Sequence, residues 1–182
     1  MLEVLLVKVI LSLPVLPHRM PSHPDDTGHY GIALIKEFEG FRKAPYKDSA
    51  GVMTIGYGTT RDRDNKPITI NHPDITRKQA EKFLKRDVTN AERAVREHVS
   101  VPLCPFQFDA LVSFVYNLGE GNFQKSSLLR ILNSGEFETA SEEFHKWVYA
   151  KGKIMPGLIL RRSAEADLFN HDIRPEPLES ST

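Results

Sequence analysis

Thiols are nearly absent from this chain. Its single cysteine, Cys104, has no partner for an internal disulfide, so the fold does not depend on an oxidising compartment. Placed between Leu103 and Pro105 at an expected helix junction, it reads as a small packed apolar residue, since a nucleophile would need a base that the sequence does not supply. Net charge is missing as well. Lys plus Arg and Asp plus Glu number 24 each in 182 residues, which leaves no strong electrostatic case for nucleic acid or for an anionic wall polymer beyond a local basic face. The seven histidines are scattered without a His-Glu-x-x-His or Cys/His pairing, so no metal is expected and most histidines read as surface residues. Gly56-Tyr57-Gly58 lacks the third glycine and the acidic partner of a dinucleotide loop, and no cofactor is expected.

Long apolar runs are scarce too. The one candidate, residues 2 to 16, is interrupted by Glu3 and Lys8 and broken at Pro14, with Pro17 following. It is short and flawed for a membrane span, and it lacks the basic start and small-residue cleavage site of a secretory signal. Residues 1–28 are therefore read as a dispensable N-terminal extension in preference to the alternative, a weak signal-like or signal-anchor segment, with Met20 opening a polar lead-in that would serve as a natural start.

What is present is a globular composition, 40% hydrophobic and 26% charged, long enough for one domain of two lobes. Apolar spacing predicts a short helix over Tyr30 to Phe38, stopped by Gly40. Residues 42 to 70 carry turn residues between β-branched and aromatic pieces, as a small antiparallel sheet would. Thr76 and Gln79 form a capping box, and helical period runs from Ala80 to Val99; this helix, roughly 35 Å long at 1.5 Å per residue, can bridge two lobes. Pro105 to Leu118 predicts a buried helix closed by Gly119. Amphipathic helices follow over Ser127 to Asn133, Glu138 to Tyr149 and Leu158 to Phe169, with Trp147 assigned to the core beside Phe144 and Val148. The polar, Pro-rich residues 173–182 read as a disordered tail.

Chemistry concentrates between Glu39 and Thr60. Glu39 follows Ile32, Leu34, Ile35 and Phe38, and a carboxyl at the apolar end of a helix tends to be desolvated, which suits a proton donor. Asp48 opens a turn of small residues that leaves a carboxylate hydrated and ionised, able to activate water. Thr54 leads a short strand from which its hydroxyl can hold that water. By residue type alone, a Glu at a helix end and an Asp in a turn are equally ordinary solvated groups.

Glu39, eight residues, Asp48, five residues, Thr54 and then Ile55-Gly56-x-Gly58 resembles the active-site signature of the phage-type lysozymes, or endolysins. Four further segments are similar to lysozymes of lambdoid phages, in the same order: Gln107 to Phe114 with Asn117-x-Gly119, Ser127 to Asn133, Phe144-x-Lys146-Trp147, and Pro156-Gly157-Leu158 with Arg161-Arg162-x-Ala164-Glu165. The resemblance covers residues 30 to 170. It implies an α+β, lysozyme-like fold over 29–172, with a small antiparallel β lobe at 40–75, a bridging helix at 77–99 and a mainly α-helical lobe at 100–170. It also implies a muramidase that hydrolyses the β-1,4 bond between N-acetylmuramic acid and N-acetylglucosamine in bacterial peptidoglycan, without a cofactor, as a monomer, for host cell lysis. In that family the Glu, here Glu39, protonates the leaving oxygen, Asp48 and Thr54 manage the attacking water, inversion is the outcome, and Thr60, Tyr116 and Asn117 fall at substrate-binding positions.

One departure is Thr59, where the family usually has His; it puts a supporting ion pair in doubt. The glycines at 56 and 58 read as a hairpin that lets a polysaccharide lie against the backbone. Arg161-Arg162 with Lys151 and Lys153 reads as a solvated basic face with one Arg pairing an acidic neighbour, ahead of contact with acidic groups of the wall. A lytic transglycosylase acting through Glu39, or a catalytically silent wall-binding phage component, remains as an alternative. A flawed N-terminal segment further implies accumulation in the host cytoplasm until a holin opens the membrane.

Overall fold

The computed structural model describes residues 23–48 and 51–171. Helix α1, His29–Glu39, leads into an antiparallel pair, β1 (Arg42–Lys47) and β2 (Met53–Gly56), in which Tyr46 faces Thr54 and Lys47 faces Met53. A register shift between Arg42 and Tyr46 bends β1, and bridges Ile55 to Thr59 and Arg61 to Pro67 complete the small β lobe. Helix α2, Arg77–His98, starts at the expected capping box: the Thr76 N–H donates to Gln79 Oε1 at 2.8 Å, and Gln79 N–H donates to Thr76 Oγ1 at 3.3 Å. Val99 is its C-cap, and its 22 residues span about 33 Å.

The helical lobe is built around α3, Pro105–Leu118, in which every residue from Gln107 to Val115 is buried. Such a run has no solvent face, and α1, α2 and the last helix pack around it. Short helices α4 (Glu120–Gln124), α5 (Ser127–Asn133) and α6 (Phe137–Glu143) follow, and α7, Pro156–Phe169, closes the lobe. Phe108, Phe114, Phe123, Phe144 and Phe169 are fully buried, and Trp147 packs edge-on against Phe114 with centroids 5.8 Å apart. This is the α+β architecture expected. Among the described residues no helix is long and apolar enough to cross a membrane. The readings made for residues 1–22 and 172–182 lie outside the described part.

One predicted helix is broken. Glu138 to Tyr149 was expected as a single helix, but α6 ends at Glu143, a 3-10 turn covers Phe144–Lys146, and Trp147 takes φ −99°, ψ 53°. Trp147, Val148 and Tyr149 are bulky or β-branched residues with low helix propensity, and the chain instead forms a hairpin, β3 (Tyr149–Ala150) with β4 (Lys153–Ile154). Lys151 and Gly152, at φ 51° and 72°, form its two-residue turn, the left-handed pair that matches strand twist.

Helix α1 has no side-chain cap of its own. Asp109 of α3 caps it instead, accepting from Gly28 N–H at 2.7 Å and Gly31 N–H at 2.8 Å. Burial pushes the Asp109 carboxyl upward against those two hydrogen bonds. Thr27 donates through N–H and Oγ1 to Glu92 Oε1, so α2 also grips this end. A Cβ at Gly31 would stand 2.5 Å from Thr27 Cγ2 and 2.9 Å from Asp109 Cβ. Gly31→Ala is therefore expected to destabilise the protein by about 1–3 kcal/mol. Gly121→Ala on α4, where a Cβ meets nothing within 4 Å, is expected to be neutral or slightly stabilising. Urea midpoints of the two variants check the contrast.

Candidate active site

The end of α1 opposite its Asp109 cap carries Glu39. Gly40 ends the helix, donating its N–H to Lys36 O at 3.1 Å, and Glu39 turns back toward α7. Its Oε1 accepts from Arg161 Nη1 at 2.7 Å, and its side chain keeps 22% of its surface exposed. The other oxygen, Oε2, faces Gly58. A Cβ built at Gly58 would lie at ordinary contact distance, 3.5 Å from Oε2 and 3.9 Å from Tyr116 Oη, so it is the φ of 90° rather than lack of space that calls for glycine there. Gly56 serves packing instead: its Cβ would meet Ala80 Cβ at 3.0 Å on α2. Of the two glycines, only Gly58 borders the open site.

Glu39, Thr60, Tyr116 and Asn117 border one cleft of about 600 Å³, whose opposite wall comes from Arg86, Asp87 and Asn90 on α2. Tyr116 donates its hydroxyl to Tyr57 O at 2.9 Å, tying α3 to the β hairpin, and burial pushes its phenol upward. Asn117 Oδ1 accepts from Arg162 Nη2 at 2.9 Å, which leaves its amide N–H groups for the cleft. Thr60 is exposed at the rim. Asp48 and Thr54 do not border this cleft. Asp48 closes the β1–β2 turn, its Oδ1 accepting from Val52 N–H at 2.8 Å, and Thr54, buried on β2, donates to Tyr46 O at 3.3 Å.

Thr59, at the position where the resemblance implies a His, is buried and makes a bond of its own. Its hydroxyl donates to Asp87 Oδ2 at 2.6 Å, so the hairpin is still tied to α2. The cation beside that carboxylate is Arg86, whose Nε donates to Asp87 Oδ1 at 2.9 Å while Nη1 and Nη2 donate to Asp62 O and Arg61 O. One guanidinium thus clamps the 61–62 loop to the cleft wall.

The basic pair on α7 departs from its sequence reading in burial, while the expected pairing of one Arg with an acidic neighbour is present. Arg161 and Arg162 are not a solvated face: they are 3% and 0% exposed, and Glu165 is 0% exposed. Ser113 donates to Glu165 Oε1 at 2.8 Å, Arg161 Nε donates to the same oxygen at 3.1 Å, and Arg162 Nε lies 3.1 Å from Oε2 without hydrogen-bond alignment. The Arg161 guanidinium lies over Phe38 and that of Arg162 over Phe114. Burial pushes Arg162 down to about 10, still charged at neutral pH, and pushes the Glu165 carboxyl up against the pull of both guanidiniums. Two buried cations are balanced by Glu165 and Glu39, and each arginine holds one cleft residue: Arg161 holds Glu39, Arg162 holds Asn117. The signal was in the spacing, since on a helix Arg161 and Arg162 lie four and three residues from Glu165 and can share it.

Glu97, His98 and Glu120 could reach a common point, but Arg93 Nη1 and Nη2 already bond Glu97 Oε2 at 2.7 Å and Glu120 Oε2 at 3.0 Å. A guanidinium supplies the charge an ion would bring there.

With this geometry, the chain can be set beside known proteins. The phage lysozyme family model matches residues 36–165. An endolysin of Acyrthosiphon pisum secondary endosymbiont phage 1 is 42% identical over 143 residues, covering 76% of this chain and 94% of that protein. Among solved structures, an endolysin from Escherichia coli O157:H7 phage FAHEc1 superposes with a TM-score of 0.74 at 38% identity, over 83% of this chain and 97% of that one. A P22 lysozyme mutant superposes with a TM-score of 0.72 at 34% identity, over 80% and 99%. The matched span takes in Glu39, the cleft and the buried arginine pair, and the chain belongs to the phage lysozyme family.

Proposed function

We propose that the chain hydrolyses the β-1,4 bond between N-acetylmuramic acid and N-acetylglucosamine, with Glu39 protonating the leaving oxygen, Asp48 activating water and Thr54 holding it. Its family makes it a lysozyme-type endolysin, a glycoside hydrolase acting on peptidoglycan. The observation that carries the finer reading is Glu39, pinned through Oε1 by a buried guanidinium on the border of a polar cleft. With Oε1 held by Arg161, Oε2 is the oxygen free to meet the glycosidic oxygen beside Gly58. The amides of Asn65, Asn90 and Asn117 and the hydroxyl of Thr60 suit sugar hydroxyls and N-acetyl groups, and the cleft has the volume of a ligand site. One observation favours a lytic transglycosylase: of the three catalytic candidates only Glu39 borders the cleft.

Mass spectrometry of digested peptidoglycan separates the two. A hydrolase leaves reducing N-acetylmuramic acid ends, and Asp48→Asn is expected to lower their yield by about 10²-fold or more. Anhydro ends, unaffected by Asp48→Asn, would replace hydrolysis by the intramolecular reaction. Access to the wall through a holin-made lesion belongs to the same proposal, motivated by the charges and prolines that interrupt residues 2 to 16. Without a holin, fractionated cells are expected to hold the protein in the cytoplasm; periplasmic protein would remove the need for one.

A further inference from the structure

Helix α7 is amphipathic in an inverted sense. Its inner face carries Arg161, Arg162 and Glu165, while Ile159 and Leu160 on its first turns are 45% and 66% exposed. The hairpin before it adds to the same patch of sequence: Tyr149 is 62% exposed, Ile154 54% and Met155 43%, and Tyr149 and Ile154 are cross-strand partners. Most of the large exposed hydrophobic residues in the described chain fall within these twelve positions. The charges there have one sign. From Phe144 to Ala164 the sequence contains no Asp or Glu, and Lys151 and Lys153 stand exposed at the hairpin tip. Exposed aliphatic side chains gathered this closely along the chain suit an interaction site.

We infer that the β3–β4 hairpin and the outer face of the first turns of α7 dock on an anionic lipid surface, with Ile154, Ile159 and Leu160 entering the acyl boundary and Lys151 and Lys153 meeting the headgroups. Aliphatic side chains partition into lipid, Tyr149 suits the interfacial layer, and lysines add attraction to anionic headgroups. The composition selects lipid over the two other occupants. Glycan recognition favours flat aromatic faces and polar partners, and this patch offers one aromatic ring among four aliphatic side chains. A symmetric contact centred on the hairpin tip would bring its lysines against the partner's lysines, with no acidic residue on the hairpin to pair them. Because the inner face of α7 holds Glu39, docking through the outer face sets the orientation of the cleft relative to the membrane beneath the wall.

The test uses Trp147, the only tryptophan in the chain, which precedes β3 by two residues. Full-length protein is mixed with vesicles of phosphatidylethanolamine and phosphatidylglycerol bearing acyl-chain bromine, and with brominated phosphatidylcholine vesicles. Trp147 fluorescence is expected to be quenched by the anionic vesicles alone. Lys151→Gln/Lys153→Gln should lower the partition coefficient roughly thirtyfold at low salt, and Ile154→Ser/Leu160→Ser should abolish quenching with the thermal midpoint unchanged. The apolar residues 2 to 16 could also bring the chain to vesicles, and Trp147 distinguishes the two routes: sedimentation with vesicles without quenching of Trp147 would overturn the assignment. Quenching that survives both double variants would overturn it equally. Release of Trp147 from the vesicles by purified glycan strands would hand the patch to the wall, and a dimer dissolved by Leu160→Ser would hand it to a second copy.

Discussion

Glu39→Gln is expected to lower peptidoglycan turnover by about 10²–10⁴-fold, the range a positioned general acid contributes. The substitution keeps the shape of the side chain and an oxygen to accept from Arg161 Nη1, but it removes the transferable proton. It also leaves the buried arginine pair with Glu165 as its remaining carboxylate, so a stability loss of about 1–2 kcal/mol should accompany the loss of turnover. Arg161 still has Glu165 and Ser113 O as acceptors, at 3.1 Å and 3.3 Å, which limits that loss. The two effects are read separately, by release of soluble fragments from purified walls and by urea denaturation. A folded Glu39→Gln protein with near-normal turnover would exclude Glu39 as the acid. Inactivity accompanied by gross unfolding would instead assign the residue to structure.

Glu165→Ala is expected to destabilise the fold by about 3–5 kcal/mol, because it strands two buried guanidiniums with only the half-buried Glu39 as counter-ion. Against a total stability of about 5–15 kcal/mol, that loss makes the variant marginal at growth temperature. The penalty comes from the unpaired charge, so it should shrink when the charge is removed as well. Arg162→Met/Glu165→Met is expected to cost less than the sum of its single variants, since an apolar replacement of a buried pair is often near neutral. Its turnover should stay low, because Asn117 loses the Arg162 hydrogen bond that fixes its amide. Urea midpoints for the four proteins of the cycle measure the coupling, and additive losses would show that the pair does not act as a unit.

Much of the fold could be read from local pattern. The α2 capping box, the helical period to Val99 and the Pro105 start of α3 are rules of spacing that act within a few residues, and the structure has all three. The failures occur where distant contacts decide. Trp147 leaves the helix because its ring packs on Phe114 of α3 and Val148 accepts from Met155 N–H at 2.9 Å, neither of which a local window contains. The cap of α1 was equally hidden: Asp25, Asp26 and Thr27 precede Gly28, yet none caps the helix, and the side chain that serves is Asp109, some eighty residues away.

At the site the division is sharper. Glu39 was legible, because it ends an apolar helix and opens a spaced set of carboxyl and hydroxyl groups. The sequence by itself determined that set, the order of the helices and the balance of charge, all of which depend on residue type and separation along the chain. Only the tertiary structure decided that Arg161 and Arg162 turn inward, that Thr59 reaches Asp87, and that Glu39, Thr60, Tyr116 and Asn117 border one cleft that Asp48 and Thr54 do not. The physical reason is that a charge in a sequence is read as solvated by default. Its burial depends on partners brought from other elements, and Arg161 finds Glu39 only when α1 and α7 pack together on α3.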